Sequence, residues 1–104
     1  MTTTDDETLH AKLNAETGKL AWEELQRHFA RGVVVVVADD LDLVEVATAM
    51  ARDDSAAFEG WLRAGKVERA GTEHAERWNQ EAPVMWAVVV APWVLVQEAH
   101  DPVH

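Results

Sequence analysis

The stretch that decides the fold is residues 84–98, VMWAVVVAPWVLVQE, because its apolar run is nearly unbroken. A strand covered on both faces has this composition, whereas a strand with one wet face alternates apolar and polar residues. Pro92 interrupts the run. Because proline cannot donate to a sheet ladder, it indicates a bulge, an edge position or a break between two strands. The domain is therefore expected to build its core around its own C-terminal segment.

A second apolar run, the five valines of residues 33–37, predicts another strand buried on both faces, a central one. Asp42 and Glu45 have the spacing of a capping box, which indicates a helix that begins just after Asp42. Apolar residues over residues 9–29 recur at helical spacing. They predict one long helix that is bent or broken at Gly18, because glycine weakens a helix interior.

Weaker patterns fill the remainder of the chain. They predict a short helix that is capped at residues 53–55 and ends at Gly65, a brief edge strand at 66–70, and a helix from about Gly71 to Trp78. Helices and strands thus alternate, which is typical of a small α/β (α+β) domain. We expect a mixed sheet of three or four strands with a central buried strand, packed by four to five short helices.

The length of 104 residues favours a single domain. We expect residues 1–8 to be a frayed N-terminal segment, 9–98 to be the domain and 99–104 to be a flexible tail. The apolar runs at 33–37 and 88–90 need cover on both faces. A homodimer could supply cover that the helices lack, and the rival reading is a monomer that covers its own sheet.

Charge narrows the classes of partner. The formal net charge is −10 and the basic residues are scattered among acids, so a nucleic-acid backbone would be repelled, and basic or neutral partners fit better. The absence of cysteine excludes disulfides and thiolate chemistry. The N-terminus lacks a signal-peptide pattern, and no apolar run reaches the roughly 20 residues of a spanning helix. We expect a cytoplasmic protein that binds neither nucleic acid nor membrane.

The acidic residues after the valine run form the first candidate site. Asp39, Asp40 and Asp42 lie where a predicted strand gives way to a helix, and ligands of α/β sheets often bind at this point. Carboxylate oxygens suit a divalent cation such as Mg²⁺ or Ca²⁺, although the spacing matches no complete calcium loop. The same residues also fit a solvated turn and a helix cap. Gln97 and Glu98 join this rim if the two apolar strands are parallel neighbours.

Tryptophans and histidines are the other candidates. Five tryptophans can fill the core, line a pocket or anchor an interface, and Trp22 and Trp93 are the ones we single out. Trp93 is the foremost because it follows the break at Pro92. An uninterrupted strand would point Trp86 and Trp93 to opposite faces. No two histidines share a metal-ligand spacing, so structural or surface roles are expected for His10, His28, His74, His100 and His104.

Three segments together resemble the bacterial family DUF2288. They are LNAETGKLAWEELQRHFARGVVVVVA, LDLVEVATAMARDD and MWAVVVAPWVLVQE, and they cover most of the chain, from about Leu13 to Glu98. The resemblance implies a small, single-domain cytoplasmic protein. It implies no activity, substrate or catalytic residue.

Two hypotheses on function follow. The first is a non-enzymatic module that associates with itself or with a partner protein, since tryptophan is dense and no phosphate loop, nucleophile elbow or zinc-protease pattern is present. The second is a small ligand- or cation-binding protein, or enzyme, that uses the acidic turn. No cofactor is indicated by any motif. A third hypothesis, an acidic surface that occupies a basic partner, rests on charge alone.

Overall fold

The computed structural model describes residues 2–99, with side chains from Thr8 onward. The predicted class is confirmed, with five helices and one mixed sheet of five strands rather than three or four. In chain order the elements are α1 (Thr2–Glu16), β1 (Gly18–Ala21), α2 (Trp22–Ala30), β2 (Val34–Val37), α3 (Leu43–Ala51), α4 (Ser55–Arg63), β3 (Val67–Arg69), α5 (Thr72–Glu81), β4 (Val84–Val90) and β5 (Trp93–Glu98).

The strand order across the sheet is β1-β4-β5-β2-β3. β2 and β5 are parallel, and the other three pairs are antiparallel. The long apolar run forms two strands, β4 and β5, which turn back at Ala91 and Pro92. The break predicted at Pro92 is thus confirmed as a hairpin turn.

The long N-terminal helix is the main error of the sequence analysis. Gly18 begins a strand, β1, which pairs with β4 and separates α1 from α2. The Thr17 hydroxyl donates to the Leu13 carbonyl at 2.7 Å, as the helix gives way to the strand. Glycine lowers helix propensity enough for sheet pairing to prevail.

Helices pack on both faces of the sheet, but they leave β4 only partly covered, since Val84, Trp86 and Val89 are exposed. The two-sided burial predicted for this part of the long apolar run is therefore wrong. The apolar residues of α1, α3 and α4 pack on one face, which includes Val35 and Leu95, and those of α2 and α5 pack on the other, which includes Val34 and Val96. Successive strand residues alternate between the faces, so each apolar strand serves both clusters. In the described part of the chain, no helix combines the length and apolarity needed to cross a membrane.

Two predicted segments lie at the ends of the chain. α1 already begins at Thr2, within the segment for which fraying is predicted. The predicted tail, apart from Ala99, lies outside the described residues, and so do His100 and His104.

Candidate functional site

The acidic turn and the end of the last strand meet at one edge of the sheet. β2 and β5 are parallel neighbours with Val36 opposite Val96, so their carboxyl ends leave the sheet side by side. The Gln97 side-chain amide donates to the backbone carbonyls of Ala38 and Leu41, at 2.7 Å each. The predicted juxtaposition of Gln97 with the turn is therefore present, and both amide hydrogens are used to hold the turn in place.

The strand pleat divides the predicted rim between two clefts. Gln97 and Glu98 are consecutive strand residues and point to opposite faces. Asp40 accompanies Gln97 in a cleft on the α1 and α3 side, whereas Asp39 accompanies Glu98 in a cleft on the α5 side. Among the described residues these four side chains are divided between two clefts and do not share one cavity.

The first of these, which we call the Trp86 cleft, has a volume of about 530 Å³. This lies within the range of about 300–1,000 Å³ that is common for ligand pockets. Trp86 is 39% exposed on its wall. Trp86, Asn14 and Thr17 could not be assigned to this site from residue patterns, because no pattern shows where α1 crosses the sheet. The lining residues are Asn14, Thr17, Asp40, Leu41, Asp42, Leu43, Trp86 and Gln97.

The three aspartates of the turn have different surroundings. Asp42 caps α3, since its Oδ1 atom accepts from the Val44 and Glu45 amides at 2.9 and 3.4 Å. Asp40 accepts a hydrogen bond from the Lys66 ammonium. Within the described residues no group of three histidine, cysteine or acidic side chains is placed to hold a metal ion. The divalent-cation site at this turn stays a prediction.

Lys66 lowers the pKa of Asp40. Its hydrogen bond, helped by its charge, holds the pKa of the Asp40 carboxyl below the usual range. A carboxyl with a lowered folded-state pKa stabilises the fold at neutral pH, and this contribution is lost as pH falls through that pKa. We expect Lys66→Met to raise the Asp40 pKa, measured by NMR titration of the side-chain carboxyl. Arg31→Met, at the other end of β2, is the control, and an unchanged Asp40 pKa in Lys66→Met would contradict the pairing.

The second cleft, which we call the Glu98 cleft, has a volume of about 370 Å³. Most of its lining side chains are charged or polar, and several of them pair with one another. Glu98 accepts from the Trp78 indole at 3.1 Å and pairs with Arg77 at 2.5 Å. The hydrogen bond to Glu98 raises the pKa of Arg77, which therefore stays protonated. His74 lies 3.4 Å from a Glu68 oxygen, and its Nδ1 atom accepts from the Gly71 amide at 3.0 Å. These contacts link α5 to the sheet edge.

Trp93 lies in neither of these clefts. It lines an apolar groove of about 270 Å³, which we call the Trp93 groove. The Arg69 guanidinium lies 5.4 Å from the centre of the Trp93 ring, and its Nε atom donates to the Gly32 carbonyl at 3.0 Å. The groove is lined by Val35, Met50, Phe58, Leu62, Val67, Glu68, Arg69 and Trp93.

The remaining candidates are dispersed. Trp22 is buried in the core, where its indole donates to Asn79 at 2.9 Å and its ring lies 5.4 Å from that of Trp78. Trp86 and Trp93 are on the same face, because the hairpin places them on different strands. His10 is exposed, and His28 is half-buried. The described histidines are not gathered around any one cleft.

Comparison with known proteins supports the resemblance. A family model described as "Protein of unknown function (DUF2288)" matches residues 8–98. The chain is similar to PA1075 from Pseudomonas aeruginosa, whose solution structure was determined by NMR, with 45% identity and a TM-score of 0.81. The comparison covers 93% of this chain and 90% of that one. Among curated proteins there is no match. The match over nearly the whole chain shows that this protein belongs to the DUF2288 family.

Proposed function

We propose that this domain is a cytoplasmic, non-enzymatic module that binds a partner protein, and that the Trp93 groove is its docking surface. The observation that carries the proposal is the exposure of α4. On one side of this helix Phe58 and Trp61 pack against the core and are partly buried, whereas Leu62 is exposed, and none of the nine residues is fully buried. The other two nine-residue helices, α2 and α3, bury two and four residues. The apolar side of α4 is therefore left incomplete by the domain itself.

Leu62 is the residue that a partner would gain most by covering. It is 53% exposed at the side of the groove, and Trp93 and Phe58 are half-buried beside it. Burying a fully exposed leucine side chain contributes about 1.5–3 kcal/mol to the free energy of association, and about half of that area is left for a partner to cover at Leu62. Aromatic residues such as Trp93 and arginines such as Arg69 are enriched among the residues that dominate binding at interfaces.

Charge selects the kind of partner. The chain carries a net charge of −10, so a second copy approaches against a field of its own sign, whereas a basic protein is attracted. The groove itself bears one acidic and one basic side chain, Glu68 and Arg69, beside its apolar floor. The partner that fits is an apolar side chain carried on a basic segment. Self-association is the competing occupant.

Leu62→Asp tests the docking surface. The probe is a synthetic amphipathic helix of leucine and lysine, followed by the amide signal at position 62 and the Trp93 indole signal in NMR spectra. We expect the aspartate to weaken binding by about tenfold, because the burial of the exposed part of Leu62 is lost and a carboxylate is placed against apolar groups. Val89→Asp is the matched control, since Val89 is 57% exposed and lies outside the groove.

Three results would contradict this function. The first is equal binding of a peptide with glutamate in place of lysine, and the second is equal weakening by Leu62→Asp and Val89→Asp. The third is a dimer in light scattering that Leu62→Asp dissociates, which would identify a second copy as the occupant.

A further inference from the structure

We propose that the Trp86 cleft is a separate binding site for an organic cation, a ligand with a primary ammonium or guanidinium group on an apolar body. This site lies at the carboxyl ends of the parallel strands β2 and β5, whereas the Trp93 groove lies against α4 and β3. Ligands of sheets with parallel strands commonly bind at such an edge. The proposal is independent of the partner-binding function.

The cleft contains a hydrogen-bond acceptor that is held in a fixed position. Gln97 lines the cleft, and its nitrogen donates to the carbonyls of Ala38 and Leu41. Because both partners are acceptors, the nitrogen and oxygen of this amide are assigned without ambiguity. The Oε1 atom of Gln97 bonds to no other described residue, and it is free to accept from a ligand. Two tethers hold it in place before any ligand arrives.

Two carboxylates line the cleft together with that acceptor. Asp42 lines the cleft and uses Oδ1 to cap α3, so the capping hydrogen bonds do not occupy its second oxygen. Asp40 also lines the cleft and shares its charge with Lys66. A ligand therefore meets two carboxylates and an amide oxygen, all of them acceptors. Such a set matches a group with several N–H donors and a positive charge.

Trp86 forms an aromatic wall of the cleft. The Lys19 ammonium lies 5.2 Å from the centre of the Trp86 ring, so this ring already attracts a cation. Lys19 is exposed and opposite Trp86 in the β1–β4 pair. Its long side chain can leave the ring at small cost, and it then competes with any ligand cation. Leu41 and Leu43 provide an apolar floor for the body of the ligand.

Other classes of ligand fit less well. An anion would face Asp40 and Asp42, and the two cations described nearby are Lys66, already paired with Asp40, and Lys19, which lies over the Trp86 ring. A neutral ring could stack on Trp86 but would use fewer of the acceptors. The distinction between a cation and a neutral ring is therefore the one that the experiment must make.

The probe is phenethylamine, and its neutral counterpart is 2-phenylethanol. Each is titrated into the full chain at neutral pH, and the Trp86 indole and Gln97 amide signals are followed by NMR. We expect the amine to bind at least about fivefold more tightly than the alcohol, since cation–π contact and a carboxylate each favour the charged form. Trp86→Leu is expected to weaken amine binding by about two- to fivefold.

Asp42→Ser provides the sharpest variant, because serine still caps α3 but carries no charge. It is expected to weaken amine binding by about two- to fivefold. Asp54→Ser is the matched control, since Asp54 caps α4 through the Ala57 amide and lies outside the cleft. Lys19→Met removes the internal competitor and is expected to strengthen amine binding about twofold or more.

The outcomes are decisive in either direction. Preference for the amine, weakening by Asp42→Ser but not by Asp54→Ser, and strengthening by Lys19→Met together support the site. Equal binding of amine and alcohol would make it a neutral aromatic site and overturn the proposal. Absence of binding, or signal changes centred away from Trp86 and Gln97, would overturn it as well.

Discussion

Trp78→Ala is expected to lower the free energy of unfolding by about 3–5 kcal/mol, the range for removing a large aromatic side chain from a core. Trp78 is fully buried between α5 and the sheet, and its ring lies 5.4 Å from those of both Trp22 and His74. Its indole also donates to Glu98. The variant therefore leaves a cavity and removes one hydrogen bond from a mostly buried carboxylate.

Trp78→Phe separates these two effects and guards against a variant that does not fold. Phenylalanine fills much of the space but cannot donate to Glu98, and a hydrogen bond to a charged group contributes about 1.5–3 kcal/mol. We expect an intermediate loss, measured by urea denaturation with far-UV circular dichroism. A loss below about 1 kcal/mol in Trp78→Ala would contradict the assignment of this residue to the core.

Gln97→Met is expected to lower the free energy of unfolding by about 1–3 kcal/mol, the cost of leaving one polar group without its partner. Methionine has a similar shape but no donor. The Leu41 carbonyl then loses the Gln97 hydrogen bond, whereas the Ala38 carbonyl keeps the one from the Leu41 amide. Denaturation in urea measures the loss, and the Trp86 indole signal reports whether the turn has moved.

Gln97→Glu adds a dependence on pH. At neutral pH the new carboxylate faces two carbonyls and lies beside Asp40 and Asp42, so its ionised form is disfavoured and its folded-state pKa is raised. Protonation restores one donor. We therefore expect the loss in free energy of unfolding of this variant, relative to the unsubstituted protein, to become smaller as the pH falls through the pKa of the new carboxyl. An equal loss in free energy of unfolding at neutral and acidic pH would show that Gln97 does not hold the turn through donated hydrogen bonds.

Residue patterns predict only part of the candidate site. Asp42 and the α3 helix follow from the capping pattern, because a cap depends on residues within one turn. The meeting of Gln97 with the turn required parallel strands, a condition that the sequence analysis could state but not establish. The separation of Asp39 from Asp40, and of Gln97 from Glu98, follows from the pleat once the strand bounds are known.

The sequence by itself determined the class of fold, the two-sided burial of the valine run at 33–37, the break at Pro92 and the start of α3. The two-sided burial predicted for 88–90 is wrong, because Val89 is 57% exposed. Composition, periodicity and capping are local, and each can be seen within a few residues. Only the tertiary structure decided that Gly18 begins a strand, that Trp86 forms one wall of a cleft and that the apolar side of α4 is only partly buried. These depend on which distant segments pair and cover one another, and pairing energy from the sheet outweighs the helical preference of a short segment.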